Sequence, residues 1–498
     1  MTGGAACSFD VRDYGAVGDG LTLATGAIRA AVAAAAAAVS DGSCSISSGG
    51  ASALVAGGGR YLTGAFSLAT GVVLRLDGAR TTLLASTAIG DYPPDWWNWD
   101  PALVDTRNAS HTGIVGDGAI DGQAPGPYWA TGFDPARSYF VPRTWVGLGP
   151  APGCVGECRP KLVRFTDCQH VRLLGSGDGG AGGGMLQLRN SPDWTMLFRR
   201  CSDVALRRMN VTGDSRWPNN DGVDFESCAD MAVEDCAFTT GDDGIVFSSG
   251  NTNAQRVPFA PQPPPPCERA VVRNVSIESH SSAIKFEAIF AANHSAIRDM
   301  LFEGVTARRS ARGIGFQQRT GAGDIRNITF RGLSLQTQYP TGGNWWGSGE
   351  PLWLTNVAET DAPGALGGTI ADVTFEDAVL EAENGVLLSG RTRALGPLHF
   401  RNVTLRIGLL GNCSCAKGDP ARAPSGCRDY RPATEPQVVY GATSGFALEG
   451  RGEATLDNVR VSFDSGSHPR AAYWGDCFVQ DAGWNATWSG RSCTNGRS

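Results

Sequence analysis

A parallel β-helix is the fold class this chain predicts. Three observations carry that reading: a short apolar pattern that recurs many times, an interval of about 25–30 residues between most copies, and turn-forming residues at a bend inside each copy. The pattern places apolar residues at i, i+2, i+5 and i+7. Val204, Leu206, Met209 and Val211 fit it, as do Met231, Val233, Cys236 and Phe238, then Ala270, Val272, Val275 and Ile277. Ile297, Met300 and Phe302 continue it, followed by Ile325, Ile328 and Phe330, and by Ile370, Val373 and Phe375. Leu398, Phe400, Val403 and Leu405, and then Ala454, Leu456, Val459 and Val461, are the late copies.

Alternation at period two marks a strand with one buried face. The extra residue between the two stretches, often in Asn-Val or Asp-Val, marks a bend. A single bent pair of strands cannot bury its own apolar face, so successive copies must stack into coils. A sandwich or a propeller would also supply many short strands, but the interval suits a β-helix better. The larger gap between Met231 and Ala270 holds the proline-rich run from Pro261 to Pro266, read as a surface loop.

The N-terminal part differs. Residues 27–39 are mostly Ala, the best helix former, and predict a short helix that caps the open first coil. Arg29 and Asp41 bound this run, which is too short and too Ala-rich for a membrane span. The expected organisation is an N-terminal segment over 1–50, a β-helix over 51–465 and a Cys-containing tail over 466–498.

Composition narrows the partners. The formal charge of −7 over 498 residues argues against nucleic acid. Fourteen Cys and only six His, none of which clusters with the closely spaced Cys, favour disulfides over zinc, while Cys201, Cys228 and Cys236 on strand positions suit buried thiols. Cys154 with Cys158, the group Cys413, Cys415 and Cys427, and Cys477 with Cys493 are closely spaced. Eight Asn-X-Ser/Thr sequons (Asn108, Asn210, Asn274, Asn293, Asn327, Asn402, Asn412, Asn485) fit a secreted glycoprotein of the extracellular space or cell wall, although Asn-Val-Ser/Thr also falls out of the repeat itself. Met1-Thr2-Gly3-Gly4 shows no apolar leader run. The chain is expected to act as a monomer, away from membranes, with neither a metal nor an organic cofactor.

The chemistry concentrates mid-chain. Asp221 lies in Asn219-Asn220-Asp221-Gly222-Val223-Asp224, and Asp242 and Asp243 lie in Gly241-Asp242-Asp243-Gly244, 21 positions beyond Asp221. That gap is close to one coil. Stacked carboxylates suit hydrolysis of a glycosidic bond, which needs one protonated acid and one ionised base. Taken singly, each segment is also a good turn sequence.

With the run from Phe9 to Gly20, Gly116-Asp117-Gly118-Ala119-Ile120-Asp121-Gly122-Gln123, the run from Arg159 to Phe165, and Ser191-Pro192-Asp193-Trp194, these segments make the chain resemble glycoside hydrolase family 28, the polygalacturonases, from about Phe9 to Val461. The resemblance implies a right-handed β-helix and inverting hydrolysis of a polysaccharide such as pectin. It makes Asp242 the general acid and Asp221 and Asp243 the residues that hold and activate water. Asn219 would orient a neighbour or substrate, and Asp224 would be structural.

Two family features are absent. The Gly-His-Gly segment is replaced by Ser281-Ser282-Ala283, with His280 two residues before the expected position, either in the cleft or in a turn; Lys285 follows as a second candidate for the cleft. The Arg-Ile-Lys triplet that grips a galacturonate carboxylate is replaced by Gly315-Phe316-Gln317. Gln317 offers a neutral hydrogen bond, and Arg312 or Arg319 would have to supply the charge. Trp96, Trp97, Trp99, Trp345 and Trp346 would either stack on sugar rings or pack loops. The departures keep open a shifted substrate, a β-helix polysaccharide lyase, or a non-catalytic carbohydrate-binding protein of the wall.

Overall fold

The structure, a computed structural model, describes residues 7–92, 102–124, 159–177, 184–215, 217, 219–249, 264–288, 295–318, 323–338, 347–356, 368–408, 410, 443–464 and 475–495. The loop tryptophans, Arg319, the five loop cysteines, sequons Asn293 and Asn412, and residues 261–263 of the proline-rich run lie outside these residues. The described residues form two compact units, one over 7–224 and 228–238, the other over 225–227 and 239–495. Both are built from coils of a parallel β-helix, as the repeat predicts, and right-handed, as the resemblance implies.

In the first unit, one ladder runs through Cys7–Asp10, Ala51–Val55, Val72–Leu76, Ser110–Gly116, Gln169–Leu174, Ser202–Arg207 and Ala229–Glu234, all parallel. The repeat residues meet in register, with Val204 opposite Met231 and Leu206 opposite Val233. The predicted helix forms over Thr25–Ser40 and is labelled α1. Ile28, Ala31, Val32 and Ala35 are buried at helical spacing, and they face the first ladder. The disulfide Cys7–Cys44 ties the first strand to the segment just after α1. Strands thus begin well before residue 50.

The second unit repeats the design. Cys267–Arg273, Ile297–Glu303, Ile325–Arg331, Ile370–Ala382, Val386–Ile407 and Phe446–Phe463 stack in parallel, with Ala270, Met300, Ile328, Val373, Leu398 and Ala454 in one column. Gly483–Ser489 extends this ladder into the tail, where Cys477–Cys493 forms a second disulfide. Cys168, Cys201, Cys228, Cys236 and Cys267 are buried.

The bend inside each copy has a backbone cause. Asn274, Asp377, Asn402 and Asn458 take left-handed φ values of 50° to 54°, and Gly304 and Gly332 take 63° and 65° at equivalent places. One left-handed residue turns the chain between two sheets, and Gly, Asn and Asp enter that region at least cost. The next residues, Val275, Val305, Leu333, Ala378, Val403 and Val459, are buried. Two of these corners, Asn274 and Asn402, are also sequons, so the fold alone accounts for their Asn.

Two columns of phenylalanine run through the second unit. Phe225, Phe247, Phe286 and Phe316 stack with centroids 5.5, 5.5 and 4.3 Å apart. Phe302, Phe330, Phe375 and Phe400 stack at 4.5, 5.0 and 5.2 Å. Because side chains alternate along a strand, burying Phe286 sends Lys285 and Glu287 together to the opposite face.

Candidate active site

The candidate residues fall into two groups, one in each unit. In the first, Asn219 takes a φ of 52° and begins the turn that carries Asp221. Asn219 Oδ1 accepts a hydrogen bond from Arg159 Nη2 at 2.8 Å. Arg159 Nη1 also donates to the Pro192 carbonyl at 2.9 Å, where Trp217 Nε1 converges at 2.9 Å. Asn220 Nδ2 donates to the Asp214 carbonyl at 3.0 Å, and the Asp221 carbonyl accepts from Thr195 N–H at 2.8 Å. Lys161 Nζ pairs with Asp193 at 3.0 Å and lies 4.6 Å from the centre of the Trp194 ring. Segments far apart in sequence thus clamp one turn, and Asp221 is buried on it.

In the second unit, Asp242 and Asp243 form the turn before the strand Ile245–Ser248. Gly244 is required here on steric grounds: a Cβ would stand 2.5 Å from the Ala283 carbonyl oxygen. The Asp242 carbonyl accepts from Thr240 Oγ1 at 2.6 Å and from Ser279 Oγ at 2.7 Å, while Asp242 Oδ1 accepts from Asp243 N–H at 3.0 Å. Asp243 Oδ1 accepts from Ser281 Oγ at 2.6 Å and Ser282 N–H at 2.8 Å, and Oδ2 accepts from Lys285 Nζ at 2.9 Å. A carboxylate offers about four lone-pair directions, so Asp243 keeps room for about one more donor. Lys285 Nζ also lies 2.9 Å from Glu287 Oε2.

These surroundings separate the two aspartates. Burial, then the neighbouring Asp243 charge, push the Asp242 carboxyl up to about 7 against the opposing pull of Lys285. Burial also works against ionisation of Asp243. The Lys285 charge and the hydrogen bonds from Ser281, Lys285 and Ser282 outweigh it and hold Asp243 below the usual carboxylate range. Lys285 behaves in the converse way: burial disfavours its charge, but Asp243, Glu287 and Asp242 together keep it protonated well above its ordinary range. One acid that is still about half protonated at pH 7 thus stands beside one fixed anion.

The remaining candidates are placed as follows. His280 sits in the turn ahead of the strand Ser282–Ala288, its N–H donating to the Thr240 carbonyl at 3.2 Å, so strand alternation does not set its direction. Arg312 is buried, with its guanidinium 3.8 Å from the Trp353 ring centre and Nε 3.6 Å from Glu350. Its Nε and Nη1 have no hydrogen-bond partner among the described residues. Gly315, opposite Lys285 on the next coil, leaves room for the Arg312 side chain: a Cβ there would lie 3.2 Å from Arg312 Cδ and 3.4 Å from Ser282 Oγ. Gln317 is buried one strand over from Glu287. Sequence reasoning missed Glu287, Ser281 and Trp353. Spacing alone could have found Glu287, since it shares a strand face with Lys285.

Parallel coils, sharp turns and buried carboxylates define the class of the protein as a β-helix built like a carbohydrate-active enzyme. Residues 51–260 match glycosyl hydrolases family 28. A "Probable polygalacturonase" of Vitis vinifera is 26% identical over 346 residues, which cover 67% of this chain and 61% of that relative. The match thus spans less than two thirds of the relative's length. An exopolygalacturonase from Thermotoga maritima shares the fold with a TM-score of 0.59 at 19% identity, over 80% of this chain and 87% of that one. The family 28 exopolygalacturonase of Yersinia enterocolitica gives a TM-score of 0.59 at 18% identity, over 99% and 78%. The chain is thus similar to glycoside hydrolase family 28 over residues 51–260. No helix among the described residues is long and apolar enough to cross a membrane.

Proposed function

We propose that the protein hydrolyses a pectin-like cell-wall polysaccharide with inversion, outside the cell. The observation that carries this reading is the opposed ionisation of Asp242 and Asp243. Asp242 holds a proton that it can deliver to the leaving-group oxygen, and Asp243 is an anion with room for one more donor, the attacking water. Asp221 takes the second water-holding role on the strength of its family motif, and Asn219 fixes its turn.

Arg312 supports an acidic sugar at the cleavage point. It is a buried guanidinium with two donors unused among the described residues, beside the glycine that replaces the family's arginine. His280, Gln317 and Arg319 are assigned to substrate binding on their sequence positions. Lyase chemistry fits less well, because a lyase base must be neutral and Lys285 is held charged by flanking carboxylates.

Reducing-end release from polygalacturonate, other pectic glycans and neutral glycans, measured for wild type and Asp242→Asn, tests the proposal. Release from an acidic glycan that the substitution abolishes is expected. An unsaturated product would assign the protein to the lyases. Glycan binding without release in either protein would make it a non-catalytic binder.

A further inference from the structure

Lys285 is spent differently from a substrate-binding lysine. Its ammonium is buried and lies 2.9 Å from Asp243 Oδ2 on one side and 2.9 Å from Glu287 Oε2 on the other. Every element of this unit packed against it contributes to the arrangement. The turn ahead of Ile245–Ser248 supplies Asp242 and Asp243, and the strand itself places apolar Val246 opposite Lys285. The lysine's own strand supplies Glu287 and, through Ser282 N–H, a further donor to Asp243. The next coil supplies Gly315 opposite it, with the Arg312 side chain folded across that glycine and its charge set against Glu350. Asp243 is left with a lysine on one oxygen and two neutral donors on the other.

We propose that Lys285 is a positioning residue: clamped between Asp243 and Glu287, it fixes Asp243 as the anionic member of the Asp242–Asp243 pair and so leaves the transferable proton on Asp242. Glu287 completes the clamp by anchoring the ammonium from the far side. The proposal deepens the hydrolase reading and rests on it for its kinetic consequence, but not for its electrostatic one. Two adjacent buried carboxyls without the clamp compete for protons, and neither has a fixed role. The family's histidine is absent at Ser282, and the charge that organises the pair here comes from the residue three positions later on the same strand.

The test compares Lys285→Met, Lys285→Arg and Glu287→Gln with wild type in two readouts. The first is the pH profile of kcat/KM on whichever glycan the wild type cleaves. Lys285→Met is expected to move the acid limb up by at least one pH unit, a tenfold change in the ratio of ionised to protonated Asp243 at a given pH. Lys285→Arg keeps the charge and returns the limb toward wild type. Glu287→Gln leaves the whole ammonium to Asp243 and moves the limb slightly the other way.

The second readout needs no substrate: an infrared titration of the buried carboxyl stretch in the folded protein. Wild type should show one buried aspartic acid gaining its proton near neutral pH, and Lys285→Met should show a second. Identical limbs and identical titrations in wild type and Lys285→Met, with only a uniform fall in kcat, would overturn the clamp. A shifted titration in a protein that cleaves nothing would keep the clamp and remove the hydrolase reading. Should Lys285→Met fail to fold, Glu287→Gln still decides the matter, since an acid limb and a titration identical to those of wild type would overturn the clamp.

Discussion

At the scale of single residues, the site depends on two carboxyls with opposite preferences. Asp242 has a folded value raised to about 7, above its unfolded value near 3.8, so folding favours its protonated form. Its effect on stability is therefore least costly below pH 4 and becomes unfavourable as pH rises toward 7. Asp243 is depressed, so its contribution is present above its unfolded value and is lost as pH falls through its folded one. Asp242→Asn should cut turnover by roughly a hundredfold or more. The same substitution should raise the free energy of unfolding at pH 8, by an amount on the order of a few kcal/mol at most and visible as a higher melting temperature, with the difference fading by pH 4. Thermal unfolding of both proteins across that range checks the sign, and a mutant less stable than wild type at pH 8 would contradict the buried-acid account. For the wild type, kcat/KM should decline as pH rises through about 7, as Asp242 loses its proton.

At the scale of the strand and the turn, precision comes from packing. Phe286 lies between Phe247 and Phe316 in one stack and meets Phe302 edge-on at 5.7 Å, which holds Lys285 and Glu287 on the other face. Phe286→Ala removes a fully buried ring and should cost about 3–5 kcal/mol, visible as a lower melting point together with reduced activity. Gly244→Ala is a finer probe. Its methyl group would meet the Ala283 carbonyl and Ile277, forcing the Asp242–Asp243 turn to shift. Activity should fall well beyond what the loss of stability explains, because a displacement of about 1 Å at a reacting group can cost about a hundredfold. Wild-type kcat/KM in this variant would show that the turn tolerates movement.

Over the whole molecule, stability is a sum of coil-on-coil contacts, and ends matter most. The first coil is closed by α1 and by the disulfide Cys7–Cys44, which joins residues 37 apart. Removing it with Cys44→Ser should destabilise the N-terminal unit by about 2–4 kcal/mol, mainly through the greater freedom of the unfolded chain. Scanning calorimetry under oxidising conditions should show an earlier transition that wild type lacks; an unchanged trace would mean that α1 alone closes the end. Outside the coils, Arg273, Glu303, Arg331, Glu376 and Arg401 form a ladder of exposed ion pairs. Such pairs are screened by water and salt, so the hydrophobic stacks dominate.

The sequence by itself determined the fold and the chemistry available to it. A period-two pattern repeated at one-coil intervals can bury its apolar face only by stacking, and Asn, Asp or Gly before the second stretch encodes the left-handed corner. The helix over residues 27–39 was legible for the same reason, because Ala-rich runs favour one local conformation. The acidic turns were visible as motifs, and Asp242 could be named as the acid only by resemblance. What tertiary structure alone decided was the environment of each group. The ionisation of Asp242 depends on burial and on a neighbour's charge, and that of Asp243 on a lysine 42 positions later in the chain. Lys285 read as a free cation for substrate, yet its charge is already engaged by two carboxylates. Contacts between residues so far apart leave no periodic trace in a single sequence, since they exist only once the coils have stacked.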